Sequence, residues 1–299
     1  MRTGDALTVA IPGPRGYAQR EVTQAPAWRG LVAWDLLFNG MTTGLFLVAA
    51  ISELAAPQVF TPVAKIAYGI ALIVLLIDLA CLVLDLGDPL RFHHMLRVFK
   101  LGSPMSVGTW CLTAYSVPLA AAAAISALPG GWTHLDGVRR LAVIIGLLPA
   151  LGSAVYKGVL LSTNAQPGWK DARWLGGYLT SAAIMLGSAQ MLVLSSVMGH
   201  ERATAMLRPA LALLLIMNLI PLGLLVADVR ATLLRTYTRR RMYGVGILSL
   251  GVGVLLPLGL LLGGSTSLFV VATAACIALA SLAVRFAIIR LNNLGSVAS

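Results

Sequence analysis

The residues that could do chemistry in this 299-residue sequence are the few ionisable and amide side chains set inside otherwise apolar stretches. Such groups are expensive in a hydrocarbon environment and usually face a bundle interior or a wet cavity. The segment 31–54 carries Asp35, Asn39, Thr42, Thr43 and Glu53. On a helix, Asp35 and Glu53 stand about five turns apart, with the other three within roughly 80° of the line joining them. This polar stripe is suited to a proton or water path or to one wall of a polar ligand pocket; interhelical hydrogen bonding is the plainer alternative. The segment 63–86 adds Asp78 and Asp85, about 10 Å apart along one helical face. Asp85 ends the helix, whereas Asp78 lies about two turns deeper and needs a partner; beside a redox ligand it could exchange protons. Tyr156-Lys157 closes the segment 138–162 on the side where 31–54 begins and 63–86 ends. An aromatic anchor and a snorkelling lysine are the ordinary explanation, but here they converge with Asp35 and Asp85.

These groups must be positioned by membrane-spanning helices. The chain is 58% hydrophobic and 11% charged, with a mean hydropathy of +0.87, far from the roughly 25% charged residues of a soluble domain. Apolar runs predict an all-α integral membrane protein of eight spans at 31–54, 63–86, 106–128, 138–162, 173–199, 206–228, 243–263 and 267–290. Short turns such as Gly130-Gly131-Trp132 and Gly263-Gly264-Ser265 make neighbouring helices antiparallel. The expected organisation is an extended N-terminal arm (1–30), a first four-helix unit (31–162) and a second (163–299). Asn218 within the sixth span and Asp228 at its end suggest a lesser polar site in the second unit.

The net charge of +11 is explained by topology rather than by nucleic-acid binding, because the basic residues are scattered between apolar segments. Of the 22 Lys and Arg, 17 fall on the side of the termini and five on the other: Lys65, Arg139, Arg140, Arg202 and Arg208. The positive-inside rule therefore puts both termini and the 85–105 connection in the cytoplasm. Cys81, Cys111 and Cys276 form no C-x-x-C pair and are expected to be core residues. His93, His94, His134 and His200 all fall in connections, which disfavours haem ligation, and no metal cluster or phosphate-binding loop is present in the sequence.

The 85–105 connection carries the most information. It reads Asp85-Leu86-Gly87-Asp88-Pro89-Leu90-Arg91-Phe92-His93-His94-Met95-Leu96-Arg97, then Ser103-Pro104-Met105-Ser106-Val107-Gly108-Thr109-Trp110. Ser103 is placed to cap the third helix, with Pro104 at its first position. A second element is Tyr156-Lys157-Gly158-Val159-Leu160-Leu161-Ser162, with Pro167 and Trp169. Together these resemble the NrfD/PsrC family, the membrane subunits of polysulfide-reductase-type and related molybdopterin oxidoreductase complexes, over most of residues 30–290.

The resemblance implies a haem-free quinone-reactive subunit, using menaquinone or ubiquinone, that acts with a four-cluster ferredoxin-like iron–sulfur subunit and a molybdopterin catalytic subunit. It is embedded in membrane lipid and is not itself catalytic toward the soluble substrate. It also implies a quinone pocket at Asn39, with Asp35 and Thr43 beside it, and at Tyr156. Asp78, Asp85, Glu53 and Lys157 are then candidates for proton transfer. Asp88, Arg91, His93, His94, Arg97 and Ser103 form the loop motif and docking surface. The chain departs from the family in having Asp88 where many members have Arg, and no His in the first span. This leaves His93, Asp78 and Lys157 as alternative second partners for the quinone. A purely structural anchor and a small-solute or ion transporter are the competing functions.

Overall fold

The computed structural model describes residues 30–86, 89–129, 134–163, 169–264 and 266–291. The N-terminal arm, Asp88, the turn at Gly130–Trp132, Pro167 and Ser265 lie outside the described residues, as does the side chain of Arg91. Eight helices are long and apolar enough to cross a membrane: α1 (Leu31–Ala55), α2 (Pro57–Leu84), α3 (Pro104–Ser126), α4 (Asp136–Ser162), α5 (Leu175–Val197), α6 (Glu201–Thr236), α7 (Arg239–Gly263) and α8 (Ser267–Ile289). No strand occurs among the described residues. The protein is an all-α, multi-pass membrane protein.

Local chemistry explains the helix ends, including those that differ from the hydropathy boundaries. Only Ala56 separates α1 from α2. Helix α2 starts at Pro57 rather than near 63, because a proline at the first position has no N–H to leave unsatisfied; Val59 N and Phe60 N then bond to Ala56 O, both at 3.1 Å. Pro62 falls inside the helix instead of bounding it. The connection after α2 contains a short 3-10 helix, Pro89–Leu96. Ser103 caps α3 by accepting from Ser106 N at 3.4 Å, with Pro104 at the first position. Helix α5 ends at Gly199, whose φ of +73° suits glycine, and His200 N returns to Ser195 O at 2.9 Å in a Schellman closure.

Helix α6 is eight residues longer at its C-terminal end than hydropathy suggests, running to Thr236 rather than 228. Asn218 interrupts it only slightly, since Asn218 N bonds to Leu214 O at 2.9 Å and Leu222 N to Asn218 O at 3.2 Å. No glycine or proline occurs between Gly223 and Thr236 to stop it, so Asp228 lies within the helix and not at its end. Helix α7 contains a nine-residue π-helical stretch, Ile247–Leu255, which period-3.6 reasoning does not anticipate.

Helix α1 is the central element and is mostly buried, whereas α7 is mostly exposed on the outside of the bundle. It packs against α2, α4, α5 and α8. Lipid is as apolar as leucine, so such packing relies on close approach and on polar bonds. Gly44 and Gly187 provide the approach of α1 to α5: a Cβ on Gly44 would fall on the backbone of Ala183, and one on Gly187 on the backbone of Gly44. Polar bonds add to this on the other side of α1. Thr42 Oγ1 donates to Ala71 O at 2.7 Å, and Tyr115 OH donates to Thr42 O at 3.0 Å. Two members of the sequence's polar stripe are therefore engaged in packing, because Thr43 Oγ1 also bonds within its own helix, to Asn39 O at 2.6 Å.

Candidate functional site

Three helices bring one buried cation and two buried carboxylates together near the end of the bundle where α1 starts and α2 and α4 finish. Lys157 Nζ lies 2.8 Å from Asp35 Oδ1 and 3.1 Å from Asp78 Oδ1, and is 3.3 Å from the Asp35 carbonyl. Asp78 Oδ2 accepts from Asn39 Nδ2 at 3.3 Å, and the same amide donates to Ser153 Oγ at 3.2 Å. All five side chains are buried. With both acids ionised the trio carries a net charge of −1, and one proton makes it neutral. Ser153 was not singled out in the sequence, yet it stands four residues before Lys157 and so shares its helical face.

A cavity of about 200 Å³ adjoins this network, lined by Asp35, Tyr156, Lys157 and Asp85 among apolar residues that include Leu36, Leu82, Met95, Met105 and Leu160. Apolar walls with a few converging polar groups are the usual composition of a small-molecule site. Tyr156 is buried as a residue and lines the cavity, and its hydroxyl makes no hydrogen bond to the described residues. Gly108 makes room for it: a Cβ there would fall on the Tyr156 ring. The Ser-Pro-Met-Ser-x-Gly element and the Tyr156 element therefore meet in space, and Met105 and Met95 of the loop motif line the same cavity. Asn39 and Asp78 do not line the cavity: Asp78 holds Lys157 and Asn39 bonds to Asp78, while Thr43 bonds to the Asn39 carbonyl of its own helix.

The loop residues sit at the surface beside the cavity. His93 and His94 are exposed and stack edge to face, with ring centroids 4.4 Å apart; Arg97 is also exposed. Ser103 serves as the α3 cap.

Glu53 is not part of this site. It lies fourteen residues after Asn39, about 21 Å further along α1, and forms a separate buried network. Arg139 Nη1 donates to Glu53 Oε1 at 2.6 Å and to Oε2 at 2.9 Å, and Tyr68 OH donates to Oε2 at 2.7 Å. Arg139 Nε and Lys65 Nζ share Asp136 Oδ1, at 3.2 and 3.3 Å. Arg139, which the charge count puts on the side opposite the termini, is fully buried, because Glu53 offers a partner that hydropathy near a helix end does not show. Arg208 likewise bonds to the carbonyls of Leu261 and Gly264. Arg285 is fully buried against α1 beside Gly40 and bonds to Ser281, and its Nε and Nη2 have no hydrogen-bond partner among the described residues. Asn218 and Asp228 do not come together in one polar site. Asn218 Oδ1 is buried without a partner, whereas Asp228 Oδ2 accepts from Trp174 N at 3.2 Å, about 15 Å away along α6.

A family model described as polysulphide reductase, NrfD matches residues 20–293, nearly the whole chain. The chain belongs to the NrfD family. It is thus a membrane subunit of the kind found in oxidoreductase complexes. No curated protein matches it. Within the NrfD frame, the two motif elements that the sequence presents separately are the two walls of one cavity, and Trp169 closes the second element by donating from Nε1 to Ile288 O at 2.9 Å. No group of three or more metal-ligating side chains occurs among the described residues.

Proposed function

We propose that this NrfD protein binds a quinone in the cavity at Tyr156 and Lys157 and exchanges its electrons with an iron–sulfur partner subunit of a molybdopterin enzyme. The observation that carries this reading is the unpartnered Tyr156 hydroxyl in the same cavity wall as the Asp35–Lys157–Asp78 network. A bound quinone supplies reversible two-electron, two-proton chemistry: quinone + 2e⁻ + 2H⁺ ⇌ quinol. The residues present fit it, since the apolar Leu and Met walls suit the ring and two donors suit its carbonyl oxygens. Tyr156 donates to one oxygen. Lys157 is favoured over His93 and Asp78 as the second partner because it lines the cavity, whereas Asp78 does not and His93 is exposed. Hydrogen bonds to an oxygen strengthen as it gains charge, so these donors favour reduction. Asn39 and Asp78 orient Lys157.

Asp35 and Asp85 line the cavity toward the surface and provide a route for protons between it and water. The exposed His93, His94 and Arg97, with Asp88 and Arg91 in the same loop, form the docking surface for the partner. In this reading the first unit, 31–162, carries the chemistry and the second, 163–299, buttresses α1. By the positive-inside rule, the excess of Lys and Arg on this side favours the cytoplasmic face of a bacterial inner membrane for this face and both termini.

Fluorescence quenching by a quinone analogue tests the reading. Wild-type protein is expected to bind saturably, with Tyr156→Phe and Asn39→Ala each weakening affinity roughly tenfold, or about 1.4 kcal/mol. Absence of binding, or binding indifferent to both changes, would instead support a structural anchor.

A further inference from the structure

A second site lies in the other half of the molecule, away from the quinone cavity. Between the last turns of α6, the first half of α7 and the end of α8 runs an apolar slot of about 180 Å³, walled by Leu225, Val229, Leu233, Met242, Val284 and Ile288. It continues into a wider opening of about 470 Å³ that presents Arg241 and Arg290. Tyr237, Val245 and Ala287 line both, so slot and opening are one cleft. Its walls are fixed: Tyr237 OH donates to Ala287 O at 2.9 Å, and the Arg290 guanidinium lies 5.9 Å from the Phe286 ring centroid. Open space lies beside Gly244 and Gly246, where a Cβ would meet nothing within 4 Å, and the π-helical stretch of α7 begins directly after them.

Charge at the mouth is uncompensated. Arg241 and Arg290, the two arginines that line it, pair with no described carboxylate, and neither do Arg235, Arg239 and Arg240 nearby in sequence. The nearby acids are engaged elsewhere, Asp228 with Trp174 N and Asp171 with Thr232 Oγ1. A soluble anion would satisfy the arginines and leave the slot empty. A neutral amphiphile would fill the slot and leave the arginines unpaired. An amphiphile with an anionic head satisfies both.

We propose that this cleft is a specific site for an anionic phospholipid, with an acyl chain in the slot and the phosphate at the Arg241 and Arg290 end. Basic pockets between spanning helices at a membrane surface have this chemistry, and each basic residue near an anionic headgroup contributes roughly fivefold in affinity.

Native mass spectrometry of the full-length, delipidated protein tests the proposal, with phosphatidylglycerol, phosphatidylcholine of the same chains and inorganic phosphate as probes. The expected result is preferential retention of phosphatidylglycerol, with Arg241→Gln and Arg290→Gln together lowering it by roughly tenfold or more. Both arginines are exposed, so an unchanged melting midpoint in lipid-free detergent verifies folding. Gly246→Leu, which fills the slot and leaves the arginines in place, is expected to reduce retention as well. Equal retention of the two lipids, a preference unaffected by the arginine changes, or displacement by inorganic phosphate at the lipid's own concentration would overturn the proposal.

Discussion

Replacing Lys157 with methionine removes the only cation among the described residues that touches Asp35 and Asp78 and leaves two buried carboxylates facing each other. In the wild type the ammonium is 2.8 and 3.1 Å from their oxygens, and Asp78 is fully buried. The packing volume is nearly kept, so the loss is electrostatic. Breaking one buried ion pair typically costs about 3–5 kcal/mol, because the remaining charge is left uncompensated. Here two pairs are broken, although Asp35 lies nearer the surface and can recover some hydration. The expected destabilisation is therefore at the upper end, about 5 kcal/mol. Adding Asp78→Asn removes the more deeply buried of the stranded charges. The double variant should recover most of that loss, with a coupling energy of about 2–3 kcal/mol. Reversible unfolding in mixed detergent micelles, followed by tryptophan fluorescence across the four members of the cycle, measures both quantities. A cost below about 1 kcal/mol for Lys157→Met, or strict additivity in the double variant, would show that the three groups are not a coupled buried network.

Other expectations rest on contacts elsewhere. Gly108→Ala places a methyl on the Tyr156 ring and should weaken quinone-analogue binding while leaving helix content, measured by circular dichroism, unchanged. Glu53→Gln leaves Arg139 with only the more exposed Asp136 as an anionic partner and should lower unfolding stability by about 3 kcal/mol, whereas Tyr68→Phe, losing one hydrogen bond to the same carboxylate, should cost about 1.5–3 kcal/mol. Neither change should affect quinone affinity, because Glu53 lies about 21 Å along α1 from Asn39. Gly187→Val forces apart the α1–α5 crossing and should reduce the yield of folded protein in a fluorescence-detected size-exclusion assay, with Gly187→Ala intermediate.

The spans were legible in the sequence because each must be apolar over a full membrane thickness, a signal local to about 20 residues. The ends were less so. Hydropathy treats Pro62 and Asp228 as boundaries, whereas backbone hydrogen bonding carries α2 and α6 past both. The site's residue types were also readable: an Asp, an Asn and a Lys within apolar segments are costly enough to mark themselves. Their partners were not, since Asn39 and Asp78 are 39 residues apart, Asp78 and Lys157 are 79 apart, and each pairing depends on how helices pack. Arg139 and Arg285 show the same difficulty in reverse. Near a helix end, an arginine that snorkels and one that is buried look alike in sequence, and only the position of Glu53 or of Gly40 on another helix separates them. Thr42 and Thr43 illustrate a third case, where a polar stripe of α1 divides into residues that serve the site and residues that serve packing.

Photoaffinity labelling with a photoreactive quinone, followed by peptide mapping, tests the central claim most directly. The account predicts that label concentrates on peptides of the cavity wall, those containing Leu36, Met95, Met105 or Leu160, and that Tyr156→Phe lowers it there. Label confined to the second half of the chain, for instance along the slot at Val229 and Ile288, would contradict it.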